Sequence, residues 1–414
     1  MSKAIRRDSF YGNTKSLIDL CDSITDCHHS TPKWTNEGKL VIRNFNIKNG
    51  KLQLNDLSYT DDENFEERIR RKRPQAGDLI ITREAPMGEV CIIPEALECC
   101  LGQRMVLIKP DKNKINGKYL LYALQSEFVQ IQIQKSDKTG SIVSNLRIPV
   151  LEELRIPVFG TFVENKIGSI MDSIDSKIEL NNRINAKLEA MAKTLYDYWF
   201  VQFDFPNEEG KPYKTSGGAM VWNEELKREV PEGWEVKNLG EIINIFDSKR
   251  IPLSKSEREK KVGNIPYYGA TSIMGYIDEY IFDDEYILVA EDGSVMDENG
   301  LPIVQFIWGK TWVNNHAHVI QASNKENNEY IYNLVKTISV VQIMSGSIQL
   351  KINQENLKNV KVCVPCDLIL EKFASIAKVT RKQIINTIEE NQKLSSLRDW
   401  LLPMLMNGQV KVGE

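Results

Sequence analysis

Several features are scarce or missing in this sequence, and each absence excludes a class of protein. No segment approaches the roughly 18 uncharged apolar residues that a membrane-spanning helix needs. The first eight residues lack the apolar region of a signal peptide, so we expect a cytoplasmic protein without membrane contact. The seven cysteines are an odd number for so long a chain and do not form the pattern of a disulfide framework.

An excess of positive charge is also missing. The chain carries 53 lysines and arginines against 57 aspartates and glutamates, a net charge of −4, so overall basicity does not indicate nucleic-acid binding. The composition is that of a globular protein, because 42% of the 414 residues are hydrophobic and 27% are charged. At about 150 residues per domain, this length predicts two or three domains.

Motifs of nucleic-acid enzymes are absent as well. There is no Asn-Pro-Pro-Tyr sequence to hold a flipped adenine and no Gly-x4-Gly-Lys-Ser/Thr loop for ATP. A metal-dependent nuclease needs a Pro-Asp and a Glu-x-Lys that converge on the ion, and the nearest pair is Pro110-Asp111 with Glu164-Asn165-Lys166. The latter residues open a predicted helix. We therefore predict no catalytic residues in this chain.

The most informative feature is an internal duplication. Gly140-Ser141-Ile142 recurs as Gly346-Ser347-Ile348, an offset of 206 residues. The same offset aligns further positions: Leu151 with Leu357, Leu154 with Val360, Ile156-Pro157-Val158 with Val362-Cys363-Val364, and Leu195 with Leu401. A single offset kept this long predicts two related halves, each with a variable domain followed by a constant helix.

Two long segments have the apolar spacing of helices, and neither Gly nor Pro interrupts residues 169–205 or 371–402. The stripe positions are Ile170, Ile174, Ile178, Leu188 and Leu195 in the first helix and Ile376, Ile384, Leu394 and Leu401 in the second. So narrow a stripe on so long a rod predicts that the two helices pair as a coiled coil, antiparallel if the halves are related by a pseudo-two-fold axis. The alternative is that each helix lies on its own domain.

The remaining blocks alternate short β-branched runs with turn signals, and each has one helical stretch, residues 117–132 and 329–344. We predict an α+β protein in which two α/β domains are separated by the two long antiparallel helices. The predicted boundaries are 1–160 and 231–366 for the domains, 161–205 and 367–408 for the helices, and 206–230 for a connecting loop.

On this duplicated frame the chain resembles the specificity (S, HsdS) subunit of type I restriction–modification systems. The phrases that carry the resemblance are residues 26–32, 77–88, 101–104, 195–205, 266–271 and 312–318. Each phrase alone is modestly specific, but their order on a duplicated frame is strongly so. The resemblance implies two target-recognition domains and a coiled-coil spacer made by the two helices.

The resemblance also implies a function. Such a subunit is non-catalytic, reads a bipartite asymmetric DNA target, and directs adenine methylation and restriction by its partners. The implied partners are double-stranded DNA, two methyltransferase (M) subunits and restriction/translocase (R) subunits. S-adenosylmethionine, ATP and Mg²⁺ would be used by those partners, and this chain would carry no cofactor. The recognition domains diverge most in this family, so no target sequence is transferred.

Two alternatives stay open at this point. A self-contained DNA methyltransferase or nuclease is disfavoured by the missing motifs. A coiled-coil interaction scaffold that does not bind DNA would leave two dissimilar α+β domains unexplained.

Local positive charge would have to hold the DNA phosphates. The candidates are Arg68, Arg70, Arg71, Lys72 and Arg73 in the first domain and Lys249 and Arg250, with lysines of residues 255–261, in the second. The alternative for such a run is an ordinary solvated surface. Candidates for base reading are His28, His29, Arg83, Gln103, Arg104, Tyr268, Lys310, Asn315 and His316, any of which is equally compatible with a packing or surface role.

We predict no metal site. Cys363-x-x-Cys366 has no second pair at zinc-finger spacing, so we expect two buried thiols. His316 and His318 lack an evident third ligand, and a strand end that faces bases or phosphates is the favoured interpretation. The aromatic residues between Tyr196 and Phe205 are expected to cap the coiled coil or to meet a partner.

Overall fold

The computed structural model describes residues 12–137, 145–345 and 350–410, which form two compact units. Unit 1 comprises the described residues up to Asn181 together with those from Glu389 onwards, and unit 2 comprises residues 182–388. The Gly-Ser-Ile repeats at 140–142 and 346–348 lie outside the described residues. No helix in the described part of the chain is long and apolar enough to cross a membrane.

Unit 1 is built on two four-stranded sheets. Its strands are β1 Thr14–Ser16, β2 Cys21–Asp26, β3 Trp34–Thr35, β4 Lys39–Ile42, β5 Ile47–Lys48, β6 Lys51–Leu52, β7 Ser58–Thr60, β8 Leu79–Thr82, β9 Val90–Ile92, β10 Cys99–Leu101, β11 Met105–Pro110 and β12 Arg155–Pro157. The central sheet has the order β2-β11-β8-β9 and is antiparallel throughout. The second sheet has the order β10-β4-β7-β3, in which the β10–β4 pair is parallel.

The central sheet of unit 1 is covered on both faces. The helices of unit 1 are α1 Asp62–Ile69, α2 Gly117–Gln125, α3 Glu127–Asp137, α4 Ile148–Glu152 and the first part of α5 Thr161–Tyr196. Leu79 and Ile81 of β8 pack in a core with α2, while Ile80 packs in the core of the second sheet. All four β8 residues are therefore buried, which explains a continuous apolar run without polar alternation.

Unit 2 repeats this plan. Its strands are β13 Met220–Asn223, β14 Arg228–Pro231, β15 Glu235–Asn238, β16 Ile243–Ile245, β17 Val262–Tyr268, β18 Ile273–Ile277, β19 Phe282–Asp283, β20 Tyr286–Ala290, β21 Val304–Ile307, β22 Lys310–Val313, β23 Ala317–Ala322, β24 Met344–Ser345, β25 Lys351–Ile352 and β26 Lys361–Val364. The helices are α6 Leu239–Ile242, α7 Lys255–Lys260, α8 Asn328–Val335, α9 Val340–Ile343, α10 Gln354–Lys358 and α11 Asp367–Met406. The sheets have the orders β16-β23-β20-β21 and β18-β17-β22-β19.

Matching hydrogen bonds in the two units confirm the duplication. Leu17 N donates to the Leu154 carbonyl over 2.9 Å, and Leu239 N donates to that of Val360 over 2.8 Å. The Tyr119 hydroxyl reaches the Pro157 carbonyl at 2.9 Å, as the Tyr330 hydroxyl reaches that of Cys363 at 2.8 Å. Leu154 and Val360, like Pro157 and Cys363, are related by the offset of 206 residues read from the sequence.

Two predicted helices are broken in the structure. The stretch 117–132 divides into α2 and α3 at Ser126, whose backbone is extended and whose hydroxyl donates to the Ala123 carbonyl at 2.6 Å. The stretch 329–344 divides into α8 and α9 after Thr337 has made the same kind of bond to the Leu334 carbonyl at 2.7 Å. Hydroxyl side chains that bind nearby carbonyls compete with the helical pattern, and apolar spacing does not record that competition.

The segment predicted as a connecting loop contains regular structure. β13 and β14 form an antiparallel hairpin within and just beyond residues 206–230. The Asn223 side chain accepts hydrogen bonds from the backbone N–H groups of Glu225 and Leu226, at 3.0 and 2.9 Å, and so starts the turn. The hairpin has too few residues to show a strand periodicity, which is why the sequence did not indicate it.

The two long helices, α5 and α11, run antiparallel to each other in both units, as predicted. In unit 1, Asn181 of α5 donates to Glu390 at 2.7 Å and to Asn391 at 2.9 Å, and Asp175 accepts from Arg398 at 3.1 Å. Rising residue numbers in α5 therefore meet falling numbers in α11.

The α5–α11 contacts of unit 2 have the same sense. Thr387 donates to Asn185, and Arg381 donates to Glu189 at 2.8 Å. A π-helical turn, Asp197–Val201, follows α5, and the aromatic side chains of Tyr196, Trp199 and Phe200 pack in the core of unit 2. The aromatic run is therefore mainly core.

The predicted stripe was partly wrong. Ile174 and Ile384 are buried, and the stripe positions Ile178, Leu188, Leu195, Leu394 and Leu401 are half-buried. Ile170 and Ile376, however, are 36% and 47% exposed. Each directly precedes a buried residue, Met171 or Ala377, and one residue is a rotation of about 100° on a helix. The seam also contains buried Asn181, Arg381 and Thr387, polar residues that an apolar pattern cannot identify.

The buried cation in the unit 2 seam leads to a stability prediction. Arg381 donates to Glu329 at 2.6 and 3.2 Å, and Glu329 is 4% exposed. Arg381→Ala leaves that carboxylate buried without its cation, so we expect a loss of about 3–5 kcal/mol in the free energy of unfolding of unit 2. Hydrogen exchange of peptides from α8 and α11 measures the loss. The exposed neighbour Lys382 is the control, because Lys382→Ala should change stability by less than about 0.5 kcal/mol. Equal exchange in the two variants would contradict the assignment.

Candidate nucleic-acid interface

Four loops of unit 1 leave their strands at one edge. β2 and β8 both run antiparallel to β11, so their carboxyl ends lie beside the start of β11, and β4 ends next to β10 in a parallel pair. The loops are residues 28–31, 43–45, 83–86 and 102–104, and we call them loop cluster 1.

Hydrogen bonds and an ion pair connect these loops. Gln103 donates to Thr31 Oγ1 at 3.1 Å, Asn44 donates to the Ala85 carbonyl at 2.6 Å, and Arg104 pairs with Glu84 at 3.2 Å. Arg104 has a positive φ of 68°, which turns its side chain out of the strand path and leaves it exposed. Loop cluster 1 is thus a connected polar surface rather than four independent loops.

Arg83 was predicted to read bases, but the structure corrects this. Its guanidinium donates to both carboxylate oxygens of Asp26 at 2.9 Å, to the Leu146 carbonyl at 2.9 Å and to Asn145 at 3.1 Å. The side chain is only 12% exposed. Because its donors are occupied within the protein, Arg83 has a structural role: it holds the end of β2 and the chain at residues 145–146 in place below loop cluster 1.

Arg68, a predicted phosphate contact, has a similar structural role. It is 8% exposed and donates to the carbonyls of Leu101, at 2.9 Å, and Ser30. Burial lowers the pKa of Arg68. It therefore supports the loop at 28–31 from inside, and the prediction that it holds DNA is wrong.

The rest of the basic run lies at the surface. Arg70 is exposed and forms no ion pair with any described residue, and Arg71 makes one long bond of 3.5 Å to the Asp26 carbonyl. Lys72 is half-buried. Arg73 is already paired with Glu66 and Glu98, each at 3.3 Å. Arg70 and Arg71 are the cations of the run that are most available to a phosphate.

Three further predicted residues lie on loop cluster 1. His28 is half-buried and pairs with Glu67 at 3.2 Å, and the exposed His29 contacts Asp26 at 3.0 Å. Gln103 is half-buried and also donates to the His29 carbonyl. The structure therefore brings His28, His29, Gln103 and Arg104 together, while it places Arg83 below them.

Unit 2 has the equivalent edge. Its loops follow β16, β17, β20 and β22 at residues 246–250, 269–272, 291–294 and 314–316, and we call them loop cluster 2. Asn314 N donates to the Tyr268 carbonyl at 3.1 Å, and Glu291 N donates to that of His316 at 2.8 Å. In unit 1, Gly102 N and Arg83 N bind the carbonyls of Ile42 and Arg104 in the same way, at 2.7 and 2.8 Å.

A buried charged network lies beneath loop cluster 2. Arg250 donates to Glu291 and to the Ala317 carbonyl, each at 2.6 Å, and its side chain is 12% exposed. The buried His318 faces Asp247 Oδ2 with Nδ1 at 2.6 Å and the Ile352 carbonyl with Nε2 at 3.0 Å. Both ring nitrogens therefore lie within hydrogen-bond distance of an oxygen.

The network changes the acidity of its carboxylates. Burial opposes the ionisation of Asp247, but bonds from His318 and the Val319 N–H, with the charge of Arg250, lower the pKa of Asp247 overall. Burial also opposes ionisation of Glu291, whose pKa is nevertheless lowered by Lys351 and Arg250. The carboxylates are therefore held in the charged form.

Several predicted residues of unit 2 are not at the surface. Arg250 belongs to the network, Tyr268 is a core residue at 9% exposure, and His318 is 2% exposed, so none of the three faces DNA as predicted. Burial raises the pKa of Tyr268 to about 12. The exposed candidates in loop cluster 2 are Lys249, Asn315 and His316. Lys310 begins β22 at the opposite strand end, over the Tyr280 ring.

Among the residues that the structure describes, two sets of side chains have the spacing of metal ligands: Asp26 with Cys27 and His29, and Asp247 with Glu291 and His318. In both sets an arginine already pairs with a carboxylate: Arg83 with Asp26, and Arg250 with Glu291. We assign them as ion-pair networks.

The two cysteines of the Cys-x-x-Cys sequence differ in environment. Cys363 is half-buried, and burial raises the pKa of its thiol to about 11. Cys366 is exposed, so the expectation of two buried thiols was wrong for it. It lies just after β26, where the chain enters α11 and leaves the covered sheet.

Glu164, from the nearest match to a nuclease motif, has a structural role. Glu164 is buried, and its Oε1 accepts from the N–H groups of Phe159 and Gly160, at 3.0 and 3.1 Å. It therefore satisfies backbone donors at the start of α5, as a capping carboxylate does.

Comparison with known proteins identifies the family. The model of the type I restriction modification DNA specificity domain matches residues 13–190 and 231–395, which is most of the chain. The chain therefore belongs to this family of non-catalytic specificity subunits of type I restriction systems.

Named relatives and a solved structure agree. The MjaIX specificity subunit of Methanocaldococcus jannaschii is 27% identical over 357 residues, which cover 82% of this chain and 78% of that protein. A putative type I specificity subunit of Haemophilus influenzae is 35% identical over 148 residues, 35% of this chain and 37% of that protein. The S subunit from M. genitalium shares the fold, with a TM-score of 0.60, 17% identity and coverage of 98% of both chains.

The network beneath loop cluster 2 predicts a pH dependence. The pKa values of Asp247 and Glu291 lie below the ordinary 3.8 and 4.5, so the folded state binds fewer protons than the unfolded state. Their contribution is present above the ordinary values and is lost as the pH falls through them into the lowered range. Urea unfolding of unit 2, followed from pH 3 to 7, should show a smaller acid loss for Asp247→Asn and Glu291→Gln. An unchanged slope would refute the stabilising role of these carboxylates.

Proposed function

We propose that the two units read the two halves of a bipartite DNA target, unit 1 with loop cluster 1 and unit 2 with loop cluster 2. The observation that carries the proposal is that one main-chain frame presents different side chains at equivalent points. Arg104 and His316 occupy the same position in the frame, and so do Gln103 and Asn315. Equivalent platforms with unlike polar residues suit two unlike half-sites.

Base reading and phosphate binding fall to different residues. Arg104, Gln103, His29, Asn315 and His316 are polar side chains at the loop edges, of the kinds that bind base edges. Arg70, Arg71 and Lys249 are exposed cations beside those edges and suit phosphates, which give affinity but carry no sequence information.

Partner subunits supply the chemistry in this proposal. Methyltransferase subunits would bring S-adenosylmethionine, and a restriction subunit would bring ATP and Mg²⁺. Exposed apolar residues recur at equivalent positions, Phe162 with Leu368 and Ile170 with Ile376, all at least 36% exposed. Such a repeat supports two equivalent contacts, one for each of two M subunits. The self-contained enzyme is disfavoured by the missing motifs, and the scaffold alternative by the polar loop clusters.

Exchange of one domain tests the proposal directly. Replacing residues 14–160 by the equivalent domain of another family member should change one half of the target and leave the other half as it was. The physical reason is that loop cluster 2 lies wholly in unit 2 and keeps its frame. Single-molecule sequencing of methylated DNA from cells that carry the chain and its partners gives the motif. A change in both halves, or in neither, would show that the units do not read DNA independently.

The exposed cations give a second test. Arg70→Ala combined with Arg71→Ala should weaken binding of target and non-target DNA alike and reduce the slope of log K against log salt by about 0.9 per lost phosphate contact. Lys112→Ala with Lys114→Ala removes the same charge beyond the other end of β11 and is the matched control. A changed methylation motif with an unchanged salt slope would assign the two arginines to base reading instead.

A further inference from the structure

An arginine with two aromatic neighbours, which the sequence motifs did not reveal, lies on loop cluster 1. Arg43 follows β4, and its guanidinium carbon is 4.9 Å from the centre of the Trp34 ring and 4.5 Å from that of Phe45. The two rings are 43% and 41% exposed, although aromatic side chains of this size are usually well covered. Neither ring belongs to a core cluster of unit 1. Core packing therefore does not account for this group.

The backbone beneath Arg43 is tightly held. Its N–H donates to Asn46 Oδ1 at 2.9 Å, and the preceding carbonyl, that of Ile42, accepts from Gly102 N at 2.7 Å. The packing at Gly102 is close, because a Cβ there would lie 3.0 Å from the Ile42 carbonyl oxygen, a tight contact, and 3.5 Å from Arg43 Cγ. The start of the side chain is thus fixed beside the turn that carries Gln103 and Arg104.

The guanidinium of Arg43 keeps its donors largely free. Its side-chain hydrogen bond to Ser58 Oγ is long, at 3.4 Å, and no carboxylate in the described ranges pairs with it. Arg68 and Arg83, by contrast, donate their hydrogen bonds to carbonyls and a carboxylate of unit 1. Arg43 is therefore restrained in position but available for a ligand.

We propose that Arg43 reads a guanine in the half-site of unit 1 and that Trp34 and Phe45 position it; this rests on the proposed function above. An arginine fork fits the O6 and N7 acceptors of guanine with two parallel hydrogen bonds. Contact with ring faces restrains the planar group, so less side-chain freedom is lost on binding. A phosphate contact has no need of such restraint, because a mobile cation such as Arg70 serves as well.

The equivalent position of unit 2 has no side chain. β4 pairs in parallel with β10 at Ile42 and Leu101, as β17 pairs with β22 at Tyr268 and Val313. Arg43 therefore corresponds to Gly269, the residue after Tyr268. The guanine requirement assigned to Arg43 belongs to one half-site only.

The experiment compares methylation motifs of the full chain with its partner subunits. Arg43→Ala should relax one guanine in the unit 1 half-site, with a loss of roughly 5- to 150-fold in discrimination against the other bases at that position. Arg43→Lys keeps the charge and should relax the same position, because an ammonium lacks the fork. Trp34→Ala with Phe45→Ala should weaken the same discrimination while Arg43 is still present. The unit 2 half-site should not change.

The Lys112→Ala variant is the control, since it removes an exposed cation beyond the other end of β11 and should leave every position of the motif intact. A wild-type motif in the Arg43→Ala and Arg43→Lys complexes, with or without weaker binding of all DNA, would overturn the base-reading role. A motif without guanine in the unit 1 half-site would do the same. If the wild-type complex assembles but methylates no specific sequence, the proposed function itself fails, and the two failures are thereby distinguished.

Discussion

A largely buried guanidinium beneath each loop cluster is the interaction on which the two strand edges depend. Arg83 connects Asp26, at the end of β2, with the Leu146 carbonyl. Arg250 connects Asp247, Glu291 and the Ala317 carbonyl. The two arginines lie at different positions within their units but have the same role: Arg83 follows β8, and Arg250 lies between β16 and β17. Removing either partner leaves an uncompensated charge in a covered site, so each edge is held as a unit. The exposed loop residues can then differ between units while the platform stays the same.

Polar contacts also decide how the long helices pair. Asn181 donates to Glu390 and Asn391, Thr387 donates to Asn185, and Arg381 donates to Glu189. These contacts form in one register and would be lost in a shifted one. A seam of leucine and isoleucine alone tolerates slippage, whereas buried amides and charges do not. The helix pair thus owes its alignment to the residues that interrupt its apolar stripe.

The sequence predicted the features that depend on repetition: the internal duplication and the two long helices with their apolar spacing. The offset of 206 residues placed Leu154 on Val360 and Pro157 on Cys363, and the structure gives these pairs the same hydrogen bonds. The sequence did not predict which single polar side chains are buried. Arg68 and Arg70 are the same residue type two positions apart, but Arg68 lies within α1 and is buried, whereas Arg70 lies just past its end and is exposed. The predicted DNA contacts of Arg83, Arg250 and Tyr268 were wrong for the same reason: the sequence does not show that these side chains are mostly covered. Arg43 was missed because Trp34, nine residues earlier, reaches it only through the pairing of β3, β7 and β4.

The division of the chain between the units has a consequence for the order of folding during synthesis. Unit 2 is one continuous stretch, residues 182–388, whereas unit 1 includes the later segment from Glu389, whose Leu405 and Met406 are buried in its core. A ribosome delivers residues in sequence, and domains fold as their residues emerge. Unit 1 therefore begins to emerge first, but it is completed only after every residue of unit 2 has been synthesised. Until then, the apolar surface of unit 1 that Leu405 and Met406 cover stays open to water.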